Sequence, residues 1–237
     1  MRRLLVPDLP PSGTAVVRGD EAHHLARVLR ARVGESFALF DGRGREVVAV
    51  VESVGGSGVT LRIAGERDPA RALRAVTLAT AVPRGERMEW LVEKCTEAGV
   101  ARVLPVAAAR SVRDRASANV LRRWRRAAAE AAKQCGRADL PEIDEPRPLA
   151  EVLAATSAAA RLVARPGAAA ALADVLRGRA DVALFVGPEG GFEPSEEAQL
   201  AAAGAHAFSL GPFVLRIETA ALVAVHAAAS VADGTPP

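Results

Sequence analysis

Five short apolar runs in the second part of the chain alternate with segments of helical pattern, and this alternation limits the possible folds more than any other feature. The runs are AVTLATAV (75–82), ARVLPV (101–106), ARLVAR (160–165), DVALFV (181–186) and HAFSL (206–210). Strands that alternate with helices form a parallel sheet covered by helices on both faces. We therefore predict an α/β fold, with helices near 85–99, 118–136 and 218–232.

Residues 1–66 have a different pattern, typical of a small β-barrel with one helix. The predicted strands are TAVVRG (14–19), SFALFDG (36–42), REVVAVVESV (45–54) and GVTLRIAGE (58–66). Glycine-rich turns separate several of them, and the segment 20–35 has the spacing of a single helix. The polar stretch RDPARALR (67–74) contains a proline and predicts a linker. We therefore divide the chain into domains 1–70 and 71–237.

Charge and cysteine usage narrow the class of protein. The net charge is +3, which is compatible with a polyanionic partner. Cys95 and Cys135 lie far apart, without metal-ligand spacing, and indicate reduced thiols in a cytoplasmic protein. His23 and His24 are adjacent, so they point to different faces of a helix and make a poor metal site. Because of this spacing of cysteines and histidines, we expect no metal. No apolar run approaches the ~20 residues that span a bilayer, so we also expect no membrane partner.

The loop VGPEGGFEPSEE (186–197) directly follows one of the predicted strands. Ligands of open α/β sheets bind beyond the carboxyl ends of the strands, and glycines let the main chain approach a ligand closely. The loop lacks the phosphate-binding patterns GxGxxG and GK[ST], and Glu189 would repel a phosphate. It therefore suits a ligand with hydroxyl groups or a cation. Taken alone, such a loop is more often a simple turn.

A second loop, SLGPFVLRIETA (209–220), repeats this design after the next strand. It turns at Gly211–Pro212 and carries Arg216 and Glu218 at the start of the last helix. A solvated ion pair would be the ordinary interpretation of those two side chains. Two matched loops at consecutive strand ends instead favour the two walls of one pocket.

The helix near 118–136 is predicted to have one cationic and one packed face. At about 100° per residue its basic side chains fall within an arc of roughly 60°. These are Arg122, Arg126, Lys133 and Arg137, opposite Trp124, Ala128, Ala131 and Cys135. Further arginines lie upstream at positions 110, 113 and 115. A charge run is usually a solvated face, but this concentration of arginines fits contacts with a phosphate backbone.

Five motifs between positions 23 and 220 together resemble one known family, and the resemblance extends over positions 2–232. They are HHLARVLR, PRGERMEWLVEKCTEAGV, KQCGR, GPEGGF and LGPFVLRIETA, in that order. The chain is similar to the RsmE family, the small-subunit (16S) ribosomal RNA uridine-N3 methyltransferases of the SPOUT superfamily. The resemblance implies a PUA-like β-barrel over 1–70 and a SPOUT domain with a C-terminal trefoil knot over 71–237. It also implies a homodimer whose active site forms at the subunit interface, acting within the small ribosomal subunit.

The resemblance further implies S-adenosylmethionine as the cofactor, held mainly by main-chain groups. The implied cofactor residues are Gly187, Pro188, Glu189, Gly190, Gly191, Leu210, Gly211, Pro212, Val214 and Leu215. Arg216 is expected to donate to a uracil carbonyl, with Glu218 and Glu189 as proton acceptors or orienting groups. The expected RNA-binding residues are Arg27, Arg30, Arg110, Arg122, Arg126, Lys133, Gln134 and Arg137. Lys94 and Glu97 either line the cleft or form an exposed ion pair.

Two positions depart from the family pattern. Phe213 stands where the family usually has arginine, and Glu193, a weaker helix cap, stands where serine is frequent. Phe213 therefore supports one alternative, a non-catalytic RNA-binding factor of ribosome assembly that retains the knot. A methyltransferase acting on another RNA is a second alternative. A nucleotide-dependent oxidoreductase is disfavoured because the dinucleotide fingerprint is missing.

Overall fold

The computed structural model describes residues 1–55, 58–110, 117–156 and 159–230. The chain forms two compact units. The first contains Met1–Ala70 together with Ala132–Leu140, and the second contains Arg71–Ala131 and the described chain from Pro141 onward. The segment 132–140, which includes the whole KQCGR motif, lies in sequence between two parts of the second unit but belongs to the first.

The first unit is built on a curled five-stranded sheet. Its strands are β1 (Arg3–Leu5), β2 (Thr14–Val17), β3 (Ser36–Phe40), β4 (Glu46–Gly55) and β5 (Gly58–Arg67), in the order β1-β3-β4-β5-β2. The pair β1–β3 is parallel and the others are antiparallel. Register shifts in β4–β5 bend the long hairpin. The inward face buries Phe37, Val47 and Leu61 completely.

The predicted helix over 20–35 is wrong in length. Helix α1 covers only Gly19–His23, and one π-helical turn, His24–Val28, follows it. Arg30 has φ +51°, a left-handed conformation that an α-helix cannot include. The apolar spacing that suggested a long helix buries Leu25, but the backbone turns away soon afterwards.

Arg3 anchors the segment 132–140 within the first unit. Its guanidinium donates hydrogen bonds to the carbonyl oxygens of Ala132, at 2.7 Å, and Arg137, at 3.0 Å. The same group pairs with buried Glu46 at 2.9 Å and lies over the Phe40 ring. Glu46 also pairs with Arg67 at 2.8 Å, so this buried carboxylate is fully compensated.

The second unit contains a six-stranded parallel sheet, which confirms the predicted α/β fold. Its strands are β6 (Ala75–Ala81), β7 (Arg102–Val106), β8 (Glu142–Ile143), β9 (Ala160–Ala164), β10 (Asp181–Val186) and β11 (His206–Phe208). Their order is β11-β9-β10-β6-β7-β8. Strand β10 pairs with both β9 and β6, so its apolar run is buried on both sides. Because all the strands run in one direction, their carboxyl ends share one edge.

Helices cover the second sheet. They are α2 (Arg87–Glu97), α3 (Ala118–Cys135), α4 (Leu149–Ala155), α5 (Leu172–Leu176), α6 (Pro194–Ala202) and α7 (Ile217–Ser230). The last turn of α3 belongs to the first unit. Helix α7 packs against α2, α5, β6 and β10 through buried alanines, which permit close approach. Within the described residues, no helix is both long and apolar enough to cross a membrane.

Candidate functional site

Three loops at the carboxyl edge of the second sheet enclose a cavity of about 320 Å³. They follow the neighbouring strands β9, β10 and β11. Of the ten residues expected to bind a cofactor, all except Pro212 line this cavity. Apolar side chains from Val186, Leu210 and Ile217 form much of the rest of the wall. The two glycine-proline loops therefore form one pocket, as the sequence predicted.

Glycine is required at two positions of the first loop, 187–193. The Gly191 N–H donates to the Pro188 carbonyl oxygen at 2.8 Å, and Gly191 has φ +73°. A Cβ atom at Gly187 would lie 3.0 Å from the buried ring of Phe192. The main chain of this loop is therefore held in a conformation that larger residues would disturb.

Side chains from elsewhere in the second unit fix the first loop. One carboxylate oxygen of buried Glu196 accepts from the Ala109 N–H and the other from the Glu193 N–H, both at 2.8 Å. Arg110 donates to the Gly190 carbonyl oxygen at 2.7 Å. Glu196 also completes a capping box with Glu193, so Glu193 serves as the N-cap of α6 despite its weaker intrinsic preference. The loops after β7 and β10 are thereby joined.

Arg87, which the sequence analysis missed, holds the two predicted catalytic carboxylates. One of its guanidinium nitrogens lies 3.2 Å from Glu189 Oε1 and 3.7 Å from Glu218 Oε1. Glu218 is buried, and within the described chain its Oε2 has no hydrogen-bond partner. An unsatisfied buried acceptor costs about 1–3 kcal/mol. This oxygen is itself buried, and Glu218 does not line the cavity.

The second loop, 209–216, turns its side chains outward. Gly211 has φ +127°, and the Ser209 hydroxyl closes the turn by bonding to both the N–H and the carbonyl of Gly211. Phe213 is 79% exposed and Val214 is 72% exposed. Arg216 is exposed as well, and its carbonyl oxygen accepts the first hydrogen bond of α7, from Ala220. No ion pair of the Arg216 side chain occurs within the described residues.

Arg165 and Glu197 form an ion pair on the cavity wall that the sequence analysis also missed. Arg165 comes directly after β9, at a position that we had assigned to the strand. Glu197 lies on α6, in the helical turn that follows the first loop. The two residues are 32 positions apart in the sequence, so no local sequence pattern indicated the contact.

The predicted RNA-binding residues divide between the two units. Arg27 and Arg30 are exposed in the first unit, and Arg122 and Arg126 are exposed on the part of α3 in the second. Arg110 is the predicted RNA-binding residue that reaches the cavity loop. Arginines 113 and 115 lie outside the described residues.

The predicted cationic face does not continue to the end of α3. Arg137 follows the helix, is buried, and bonds to Asp139 at 2.5 Å. Lys133 pairs with Glu21 at 2.8 Å, whereas Gln134 is exposed. Cys135, which we expected to be packed, is exposed. The helix ends where its chain joins the first unit, so the ideal helical arc stops applying there.

Lys94 and Glu97 form an ion pair, as the second of the two interpretations predicted. Lys94 lies 2.7 Å from Glu93 and 2.8 Å from Glu97, and these hydrogen bonds raise its pKa. Neither residue lines the cavity, because α2 starts at the cavity edge of the sheet and runs away from it. The neighbouring Cys95 is buried, which raises its pKa to about 12 and makes it a poor nucleophile. Among the described residues, no cluster of side chains could hold a metal ion.

Two family models match successive parts of the chain. Residues 70–229 match the model of an RNA methyltransferase domain, and residues 17–64 match that of an RNA methyltransferase PUA domain. The chain is 41% identical over 232 residues to the ribosomal RNA small subunit methyltransferase E of Mycobacterium bovis, covering 94% of this chain and 88% of that protein. It is 29% identical over 227 residues to the Bacillus subtilis protein of the same name, covering 90% of this chain and 89% of that protein.

A solved structure resembles nearly the whole chain. It is a ribosomal RNA small subunit methyltransferase E from Neisseria gonorrhoeae bound to S-adenosyl methionine, with a TM-score of 0.88 and 31% identity. The match covers 96% of each chain. A methyltransferase from Legionella pneumophila, also in complex with its cofactor, matches with a TM-score of 0.85 and 31% identity, over 95% of this chain and 96% of that one.

Proposed function

The chain belongs to the RNA methyltransferase family of ribosomal RNA small subunit methyltransferase E, and from that premise we propose that it methylates N3 of one uridine in small-subunit ribosomal RNA. The methyl donor is S-adenosylmethionine. The observation that carries the proposal is the cavity between the loops 187–193 and 209–216. It is formed at the edge of the sheet where ligands of α/β proteins bind.

The cavity fits this cofactor in size and chemistry. Its volume of about 320 Å³ lies within the range of small-molecule sites, roughly 300–1,000 Å³. Main-chain groups of the glycine-rich loop can bond to a nucleoside and its hydroxyl groups, and apolar side chains can cover a base. Glu189 places a carboxylate on the cavity wall, which suits a cationic ligand. When bound, S-adenosylmethionine supplies an activated methyl group on a sulfonium centre.

The protein must prepare the uracil ring for methylation. Uracil N3 carries a proton and becomes a good nucleophile only when that proton leaves. Arg216 supports this step, because an exposed guanidinium at the start of α7 can donate to a uracil carbonyl and stabilise the developing imide anion. Transfer would join N3 to the methyl carbon while the bond from that carbon to the sulfonium sulfur breaks, with its electron pair staying on the thioether product. The N3 proton would pass to a base.

Glu218 is the proposed proton acceptor. Its Oε2 has no donor within the described chain, whereas Oε1 faces Arg87. Glu189 shares that arginine at the cavity wall and is proposed as the orienting carboxylate. Arg87 would then hold both carboxylates in place. It is an addition to the catalytic set that the sequence suggested.

Contacts with the RNA are proposed for the exposed basic residues of each unit. Arg27 and Arg30 would bind phosphates from the PUA domain, and Arg122 and Arg126 from the methyltransferase domain. Arg110 would contact RNA next to the cofactor loop. Gln134 is exposed, whereas Lys133 and Arg137 already have protein partners and would contribute mainly by shaping their segment.

We also propose that the protein is a cytoplasmic homodimer with a trefoil knot in its C-terminal region. Half-exposed Trp90 on α2 and Val223 on α7 give these packed helices an apolar outer surface, which supports a subunit interface. The return of α7 from edge strand β11 to the central strands β6 and β10 is compatible with a threaded chain. The ribosomal substrate argues for the cytoplasm.

The test is a methylation assay with radiolabelled S-adenosylmethionine and small ribosomal subunits that lack the modification. The RNA is digested, and labelled nucleosides are identified by chromatography and mass spectrometry. Label in 3-methyluridine is the expected result. Binding of the cofactor without label would indicate another RNA substrate. If the protein neither labels RNA nor binds the cofactor, the enzyme proposal fails and an RNA-binding assembly factor becomes the better account.

A further inference from the structure

Phe213 is the one exposed phenylalanine of the chain. The other five are buried: Phe37, Phe40, Phe185, Phe192 and Phe208. The chain has no tyrosine and few aromatic residues of any kind. Even so, Phe213 is 79% exposed. Covering a ring of this size removes a large apolar area from water and is therefore favourable. Its exposure in the free protein therefore calls for a binding partner.

The position of Phe213 identifies that partner's location. The residue lines the same cavity as Gly187 and Leu215 but presents its ring to solvent, so it stands at the mouth of the cofactor site. The turn at Gly211 lifts the ring out of the protein. A group that reaches the methyl donor from outside has to pass this mouth.

We propose that Phe213 stacks on the target base and sets the plane in which its edge faces the methyl donor. This inference rests on the proposed function, because it names a substrate-binding residue of that same site. Proteins recognise unpaired RNA bases by stacking them on aromatic side chains, and enzymes that modify a base take it out of its stack. Stacking tolerates any base. Phe213 thus supplies affinity and orientation, while Arg216 reads the carbonyl groups of the base.

The charge around Phe213 favours RNA over another protein surface. Arg216 follows three residues later, exposed and without an ion pair within the described chain. Arg110 bonds to the carbonyl of Gly190, a residue that lines the same cavity. An aromatic ring interleaved with arginines is the pattern of a surface that binds single-stranded nucleic acid. A guanidinium plane also stacks on bases, so an arginine at this position would serve a related purpose.

The test compares Phe213→Ala, Phe213→Leu and Phe213→Tyr in the full-length protein. We expect the KM for the ribosomal substrate to rise about 10-fold in the alanine and leucine variants and to stay within about 3-fold in the tyrosine variant. The dissociation constant for S-adenosylmethionine and the oligomeric mass should not change. Leucine separates stacking from simple apolar burial. Leu73→Ala, an exposed apolar residue before β6 at the opposite edge of the sheet, is the matched control.

Each contrary outcome overturns the inference in a recognisable way. A leucine variant with a wild-type KM for the ribosomal substrate would mean that RNA binding does not need the planar ring of Phe213. Weaker cofactor binding with an unchanged RNA KM would make Phe213 a cofactor residue, and a loss of dimer mass would make it a subunit contact. A wild-type protein that forms no 3-methyluridine would sink the proposed function instead. Stacking can then still be tested with the Phe213→Trp variant by measuring its fluorescence. The added tryptophan fluorescence must be quenched by RNA if the ring contacts a base.

Discussion

The loops 187–193 and 209–216 have the same design in sequence but different structures. Both leave a strand, turn at a glycine and a proline, and enter a helix. In the first loop, Glu196 and Arg110 bond to the main chain from outside, and Phe192 folds beneath it. In the second loop, the turn is closed by its own Ser209, and Phe213, Val214 and Arg216 face solvent.

This difference assigns the loops different tasks at one cavity. A fixed main chain offers N–H and C=O groups at constant positions, which suits the same cofactor in every turnover. Exposed side chains on a less constrained loop suit a large substrate that must enter and leave. We therefore expect substitutions in and around the first loop to alter cofactor affinity, and substitutions of the exposed side chains of Phe213 and Arg216 in the second loop to alter RNA binding and the chemical step.

Arg216→Ala should have the largest effect. Removing one donor to a developing anion typically lowers kcat by about 100-fold or more. The dissociation constant for S-adenosylmethionine, measured by isothermal titration calorimetry, should stay at the wild-type value. Arg177→Ala removes an exposed arginine that precedes β10 at the opposite edge and should leave both quantities unchanged. A wild-type kcat in the Arg216 variant would remove this residue from the mechanism.

Glu196→Gln should have an intermediate effect, confined to the cofactor and to stability. Both carboxylate oxygens accept main-chain N–H groups, and the amide NH₂ of glutamine cannot replace one of them. Losing a hydrogen bond to a charged group costs about 1.5–3 kcal/mol, so Tm should fall and cofactor affinity should drop about 10-fold. Glu151→Gln on α4 is the exposed control. If cofactor affinity is unchanged while kcat falls, the division of tasks between the loops is wrong.

Arg110→Ala should have the smallest effect on the cofactor. Its bond to the Gly190 carbonyl is exposed, so we expect only about a 2- to 5-fold weaker affinity for S-adenosylmethionine. Calorimetry with the cofactor and filter binding with ribosomal RNA would separate its two proposed contributions. A loss confined to RNA binding would show that Arg110 acts on the substrate and not on the first loop.

The sequence predicted best those elements whose pattern is local. The run at 181–186 corresponds residue for residue to β10, because it is apolar from Val182 to Val186, begins at Asp181 and is followed by Gly187. Strands β1 and β8 contain only three and two residues, too few for any periodicity to appear. The helix expected over 20–35 failed because apolar spacing does not reveal where a backbone such as that at Arg30 turns left-handed.

The site was predictable to a similar degree. The loops 187–193 and 209–216 each follow the end of a strand. Because parallel strands have their carboxyl ends at one edge of the sheet, the two loops pointed to a common cavity. Arg87 escaped detection because its partners Glu189 and Glu218 lie more than a hundred residues away, and an ion pair of that separation leaves no trace in local sequence. The same holds for the bond between Glu196 and the Ala109 N–H, which depends on the sheet order and not on any motif.

Hydrogen-exchange mass spectrometry with and without S-adenosylmethionine tests the central claim most directly, because it reports on the main-chain amides that we assign to the cofactor. We predict slower exchange in peptides covering 187–191 and 210–215 when the cofactor is added at saturation. Peptides covering 67–74, at the other edge of the sheet, should exchange at an unchanged rate. Unchanged exchange in both loops, with the cofactor demonstrably bound, would contradict the assignment of this cavity.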